Sequence, residues 1–285
     1  MKINTISPQD YKYLQIIDTI AIKPKKLYFV GKLPSDRQPT VAIVGTRRPT
    51  AYGKEVTYQF AHDLASHGIV IVSGLALGTD AIAHRGALDA GGITIAVLAN
   101  GVDQIYPATN YDLGQSIIKS GGAIISEYEP GIEARDFQFL ERNRIVSGLS
   151  DAVIVTEAAI RSGTMSTVAH ALEQGREVFV VPGNITSPLS AGCNNLIKQG
   201  AHPITCANDV IEIIAPDLLR AQTLLPLGST PLESKIINLL QSGIRDGDEL
   251  QNLSEVTASE FSQTLTLMEI SGTIRALGGN QWTLR

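Results

Sequence analysis

Between residues 41 and 205, short apolar runs alternate with stretches whose apolar residues recur at helical spacing. The runs Val41–Gly45, Ile69–Val72, Ile93–Leu98, Ala123–Ile125, Ala152–Thr156, Val178–Val181 and His202–Thr205 predict strands. Tyr52–His67, Thr79–Asp89, Tyr111–Lys119, Phe137–Leu149, Thr164–Glu173 and Asn194–Lys198 predict the helices between them. Glycine-bearing turns such as Ala90-Gly91-Gly92 and Ser120-Gly121-Gly122 close helices just before the next strand. Strands that are apolar throughout, rather than alternating, belong to a sheet covered on both faces. The pattern predicts an α/β fold over residues 39–214: a Rossmann-like, doubly wound, mostly parallel sheet.

The flanks follow other patterns. Residues 1–38 are a short lead-in, with one amphipathic turn around Tyr11–Ile17 and a strand at Leu27–Gly31. They are too short for a complete helical module. Residues 215–230, with Pro216, Pro226 and Gly228, predict a linker. In residues 231–285, three helix faces (Leu232/Ile236/Leu240, Leu250/Leu253 and Phe261/Leu265/Met268) precede a hairpin turning at Gly278-Gly279-Asn280. Three helices and a hairpin predict a small C-terminal winged-helix domain. Its third helix, Val256–Met268, has no Lys or Arg and carries Glu260, which disfavours duplex binding through it and suits a protein-contact or regulatory role.

Charge adds a constraint. The net charge of −5 argues against a basic nucleic-acid coat. It divides as +4 over residues 1–38, −6 over 39–228 and −3 over 229–285, so a polyanion site would be a local basic patch on an acidic body. Cys193 and Cys206 have neither CxxC spacing nor partnered histidines, so no disulfide framework or metal site is expected. No run is long enough for a membrane span, and Met1–Thr5 lacks a signal-peptide pattern; a cytoplasmic protein is expected.

In an open α/β sheet, ligands sit outside the carboxyl ends of the strands. Those ends carry Gly45-Thr46-Arg47-Arg48, Ser73-Gly74, Asn100-Gly101 and Arg161-Ser162-Gly163-Thr164, with Arg142-Asn143-Arg144 on a helix nearby. Backbone amides, hydroxyls and guanidinium forks together suit phosphate. The cofactor fingerprints fail. Gly45–Thr50 is not G-x-G-x-x-G, no acid closes the second strand, and Gly53-Lys54-Glu55 has Glu where a Walker loop needs Ser or Thr. No nucleophilic triad is evident. His62, His67, His84, His170 and His202 are expected in packing or surface roles, Asp80 at a helix start, and Glu157 paired with an arginine. No catalytic residue, cofactor or metal is expected. Tyr52, Tyr106 and Tyr111 are the aromatics near the strand ends.

These residues carry a resemblance. Val41–Arg47, Ser73–His84, Gly101–Pro107, Glu141–Ser150, Glu157–Thr164, Val180–Asn184 and Gly192–Ala201 resemble, in order and across roughly residues 25–214, the motifs of the DprA/Smf family of bacterial DNA-processing proteins. The resemblance implies a single-stranded DNA-binding protein that protects incoming DNA and helps load the RecA recombinase in natural transformation and recombination. It places Gly45, Thr46 and Arg47 on a phosphate and Arg142, Arg144 and Arg161 along the strand. It also implies a homodimer through the Gly192–Pro203 segment, with Asn194, Ile197 and Pro203 at the interface. Residues two apart on a regular helix point about 200° apart, so one of Arg142 and Arg144 is expected to pair with Glu141 or a neighbouring acid.

Two rivals remain. LOG-type phosphoribohydrolases use P-G-G-x-G-T-x-x-E, but here Thr167 stands where the acid–base Glu would be. A nucleotide-sensing module would hold a small phosphorylated ligand at Gly45.

Overall fold

The computed structural model describes residues 2–223 and 230–284. These form two compact units, Met1–Leu218 and Leu219–Arg285. In the first, nine strands make one sheet: β1 (Asn4–Ile6), β2 (Leu27–Gly31), β3 (Thr40–Val44), β4 (Val70–Ser73), β5 (Thr94–Val97), β6 (Ala123–Ser126), β7 (Ala152–Val155), β8 (Glu177–Val180) and β9 (His202–Pro203). Their spatial order is β1-β2-β6-β5-β4-β3-β7-β8-β9. From β6 to β9 all neighbours are parallel, while β1 and β2 add an antiparallel edge.

The helices are α1 (Ala51–Ser66), α2 (Thr79–Asp89), α3 (Tyr111–Lys119), α4 (Asp136–Gly148), α5 (Thr164–Glu173), α6 (Ala191–Lys198), α7 (Ala207–Ile214) and α8 (Pro216–Thr223). Alternate strand residues face opposite layers. Ala42, Val44, Val72, Val97, Val153 and Val155 pack with Ile145 and Val146 of α4, Val168 of α5 and Leu196 of α6. Ala96, Leu98 and Ile124 pack with Ala81 of α2 and Leu113 and Ile117 of α3. This two-sided burial explains the uniformly apolar strands. Each large aliphatic side chain taken from water contributes about 1.5–3 kcal/mol. The expected Rossmann-like sheet is the one observed.

Chain order reverses between β3 and β7. Successive strands β4, β5 and β6 extend one way from β3, and β7, β8 and β9 the other. The crevice outside the carboxyl ends of β3 and β7 is therefore the topological switch point.

Two features depart from expectation. The lead-in is not separate from the sheet, because β1 and β2 complete its edge and Tyr13, Leu14 and Ile17 are buried in the main core. Pro216–Thr223, expected as linker, is helical, with Pro216 at its first position, where a missing N–H costs nothing. Residues 224–229, which hold Pro226 and Gly228 of that linker, lie outside the described residues.

The second unit contains α9 (Pro231–Gln241), α10 (Gly247–Ser254), α11 (Ala258–Ile270) and the hairpin β10 (Ile274–Gly278) and β11 (Gln281–Leu284). Ile236, Leu240, Leu250, Phe261, Leu265, Met268 and Ile274 form its core, as the helical spacing requires. Thr257 and Glu260 cap α11 reciprocally. No helix among the described residues is long and apolar enough to cross a membrane.

Candidate nucleic-acid interface

The switch point holds a cleft of about 500 Å³ lined by Gly45, Thr46, Arg47, Gly74, Arg142, Asn143, Ser162, Gly163 and Thr164. The structure thus gathers residues from four separate sequence segments. Val44, Ala76, Asp80, Asp136, Phe139, Leu140 and Val146 complete the wall.

Close backbone approach shapes its floor. Thr46 N–H donates to the Glu157 carbonyl at 2.8 Å, and Thr79 N–H donates to the Thr46 carbonyl at 3.1 Å. Gly78, at φ +78°, admits this crossing; a Cβ there would stand 2.5 Å from the Arg47 carbonyl oxygen. The next turn is strained, since Leu75 is a buried residue at φ +57°. Asp80 holds it through Gly74 N–H (3.1 Å) and Ala76 N–H (3.3 Å), and Asn110 donates to the Leu75 carbonyl at 2.9 Å.

The helix starts differ in how they are satisfied. At α1, Thr50 Oγ1 accepts from Gly53 N–H, and Glu157 accepts both Thr50 N–H and Thr50 Oγ1–H at 2.8 Å. Glu157 therefore pairs with the cap of α1 rather than with the arginine expected from sequence, because its loop runs alongside the turn entering that helix. The starts of α2 and α5 have glycine caps, Gly78 and Gly163, with no side-chain cap bond. Gly163 and Thr164 line the cleft, so the positive end of α5 opens onto it.

The two arginines of α4 separate as helix geometry demands. Arg144 forms a bidentate pair with Glu127, Nη1–Oε1 2.7 Å and Nη2–Oε2 2.6 Å, and also reaches the Glu141 carbonyl. Its charge is spent, and it lies outside the cleft. Arg142 lines the cleft from below and is only 4% exposed. It donates to the carbonyls of Gly74 and Val97. Burial lowers its pKa and raises that of Asp80, each opposed by the charge of the other. Arg142 is a positive floor under the cleft, not a freely reaching fork.

Arg47 is exposed, and its guanidinium lies 5.4 Å from the centroid of the Phe139 ring. Tyr106 stands 5.8 Å from the same ring, so the mouth carries an aromatic pair beside a long-armed cation. Phe139 is absent from the residues expected from sequence, although a signal was present. Phe139, Arg142, Asn143 and Val146 fall at i, i+3, i+4 and i+7, a single helix stripe.

The other expected residues lie elsewhere. Ser73 is buried and donates to the Ile43 carbonyl at 2.7 Å. Asn100 is buried and donates to the Gly101 and Gln104 carbonyls, while Gly101 N–H donates to the Ile132 carbonyl. These three brace loops and do not line the cleft. Arg48 and Arg161 are exposed but outside its wall. Asn194 is half-buried and exchanges two hydrogen bonds with the Gly183 peptide groups. Ile197 packs partly against the core, and Pro203 is exposed on the sheet-edge strand β9. Among the described residues, no group of His, Cys, Asp and Glu could hold a metal ion.

Residues 4–215 match the profile of the DNA recombination-mediator protein A family, and residues 220–280 that of the DprA winged helix domain. Protein Smf of Escherichia coli is 43% identical over 189 residues, which cover 66% of this chain and 50% of that protein. The chain therefore spans half the length of that relative. The DNA processing protein A structure from Streptococcus pneumoniae superposes with a TM-score of 0.69 at 39% identity, covering 75% of both chains. The Helicobacter pylori protein, solved for its mode of binding single-stranded DNA, has a TM-score of 0.67 at 37% identity and covers 76% of this chain and 97% of its own. With both profiles matched across nearly the whole chain, the chain belongs to the DNA recombination-mediator protein A family, the DprA/Smf proteins.

Proposed function

We propose that the switch-point cleft binds single-stranded DNA without sequence preference. The observation that carries this is Arg47 lying over the Phe139 ring, at the mouth of a cleft whose floor is the buried Arg142 cation. A phosphate would take the Arg47 fork beside the start of α5, where Gly163 and Thr164 line the cleft, and a base would stack on Phe139 and Tyr106. Every base has a π-face, so such a site tolerates any sequence. Asp136 at the rim disfavours phosphate on its own side and so biases the strand toward Arg47.

Family membership supports a wider role. The chain protects incoming single strands in the cytoplasm, works as a homodimer and helps place RecA on DNA during transformation and recombination. It acts by binding, with no bond made or broken. The winged helix is a protein-contact module, since α11 carries no Lys or Arg and exposes Glu260 and Glu269.

Titration of labelled oligo-dT at two salt concentrations tests the reading. Wild type should bind with strongly salt-dependent affinity, and Arg47→Ala should weaken binding and flatten the salt dependence by about one phosphate contact. Unchanged affinity in Arg47→Ala would overturn the assignment. Release of free base from nucleoside monophosphates would point instead to a phosphoribohydrolase, for which Thr167, buried on α5, supplies no carboxylate.

A further inference from the structure

A second cleft of about 560 Å³ lies beside the first, lined by Thr50, Tyr52, Glu157, Pro182, Gly183, Asn184, Ser187 and Ser190. The same two loops wall both. One runs from Gly45, Thr46 and Arg47 in the first cleft to Thr50 and Tyr52 in the second. The other runs from Glu157 in the second to Ser162, Gly163 and Thr164 in the first. Along one loop Arg48 falls in sequence between the residues that line the two clefts, and along the other Arg161 does. Both are exposed, and neither has a carboxylate partner among the described residues.

The second cleft also offers a rigid aromatic face. Tyr52 is 46% exposed, and its hydroxyl donates to the Pro182 carbonyl at 2.8 Å, which pins the ring across the cleft. A pinned ring loses little entropy when a base stacks on it. Ile185, 89% exposed on the adjoining loop, extends the apolar edge. The carboxylate in this cleft, Glu157, is 2% exposed and has both oxygens engaged by Thr50. The groove between α1 and α2 is a poorer continuation, because Glu55, Asp63 and Asp89 there outnumber Lys54 and Arg85.

We infer that a single strand held in the first cleft continues between Arg48 and Arg161 into the second, where Tyr52 stacks a base. This rests on the first cleft being a single-strand site. It assigns a direction to the strand, across the switch point toward the end of β8, and makes the footprint of one protomer two clefts long.

Oligo-dT ligands of stepwise increasing length test it, with wild type, Tyr52→Ala, Tyr52→Phe and Arg47→Ala. Wild-type affinity should rise in two stages as each cleft fills. Tyr52→Ala should leave the shortest ligands unaffected and lose about 5- to 150-fold on the longer ones, the range for one base–aromatic stack. Tyr52→Phe keeps the ring and should retain most of the second stage. In Tyr52→Trp, indole fluorescence should be quenched only by ligands long enough to reach the second cleft. If Arg47→Ala weakens every length while Tyr52→Ala matches wild type throughout, or loses equally at all lengths, the second cleft is not part of the track and only the first-cleft reading stands. If Arg47→Ala changes nothing at any length, the first-cleft reading fails, and this inference with it.

Discussion

Arg142 lies directly beneath Gly74. Its Nη1 donates to the Gly74 carbonyl at 2.7 Å, and a Cβ added to Gly74 would stand 2.5 Å from the guanidinium carbon. The N–H of the same glycine is held by Asp80 at 3.1 Å, so one peptide segment of the cleft floor is gripped by a buried cation and a buried carboxylate.

Arg142→Met should accordingly be a stability variant first. It leaves the Asp80 carboxylate uncompensated and two carbonyls without their donor, a change that costs about 3–5 kcal/mol. Gly74→Ala should cost about 1–3 kcal/mol by forcing the guanidinium aside. Urea unfolding measures both. Arg47→Ala, at an exposed position, should stay within about 0.5 kcal/mol of wild type while losing DNA affinity. An Arg142→Met protein of wild-type stability would contradict this structural role.

Phe139 supplies the face on which Arg47 rests. Phe139→Ala should weaken oligo-dT binding by about 1–3 kcal/mol, and Phe139→Trp should preserve it. Anisotropy titrations read both. The Arg47→Ala/Phe139→Ala double variant should lose less than the sum of the singles, because the two side chains touch.

Thr50 connects the start of α1 to Glu157. Thr50→Ala removes the helix cap, worth about 1–2 kcal/mol, and takes from Glu157 Oε1 its hydroxyl donor, which adds about 1–3 kcal/mol. Thr50→Ser keeps both bonds and should unfold close to wild type in the same denaturant series.

His84 is fully buried, with Nδ1 2.6 Å from Thr94 Oγ1 and Nε2 without a partner. The Thr94 hydroxyl donates to the Ile71 carbonyl, so Nδ1 carries the proton and Nε2 is bare. Desolvation, aided by the Arg142 charge, pushes its pKa down to about 3. An unfolded histidine titrates near about 6.5. Between those values the unfolded chain binds a proton that the folded chain refuses. The contribution of this group is therefore complete above about pH 6.5 and falls by about 1.4 kcal/mol per unit as pH drops toward 3. Stability measured against pH should show this loss on the acid side. The His84 ring resonance should stay flat between about pH 8 and 5; a midpoint near the ordinary histidine value would contradict the burial.

The positions of most elements were legible in the residue pattern alone. The uniformly apolar runs marked the parallel strands, and the spacing of Phe261, Leu265 and Met268 marked α11. Glycine turns and proline positions supplied most boundaries. The edge strand Asn4–Ile6 was not legible, because three residues pairing with β2 carry too little pattern to stand out. The helix Pro216–Thr223 was hidden by the proline at its start, which reads as a breaker unless the residues after it are known to be helical.

By itself, then, the sequence determined the layered α/β unit, the small helical unit with its hairpin, and the loops that carry the chemistry. Periodicity and turn residues are local signals, and local signals specify elements. Tertiary structure alone decided what each charged side chain does. Arg142 and Arg144 look alike in the sequence, yet one sits under Gly74 and the other closes on Glu127. The 3.6-residue helix turn sends them to different neighbours, and those neighbours come from strands and loops distant in sequence.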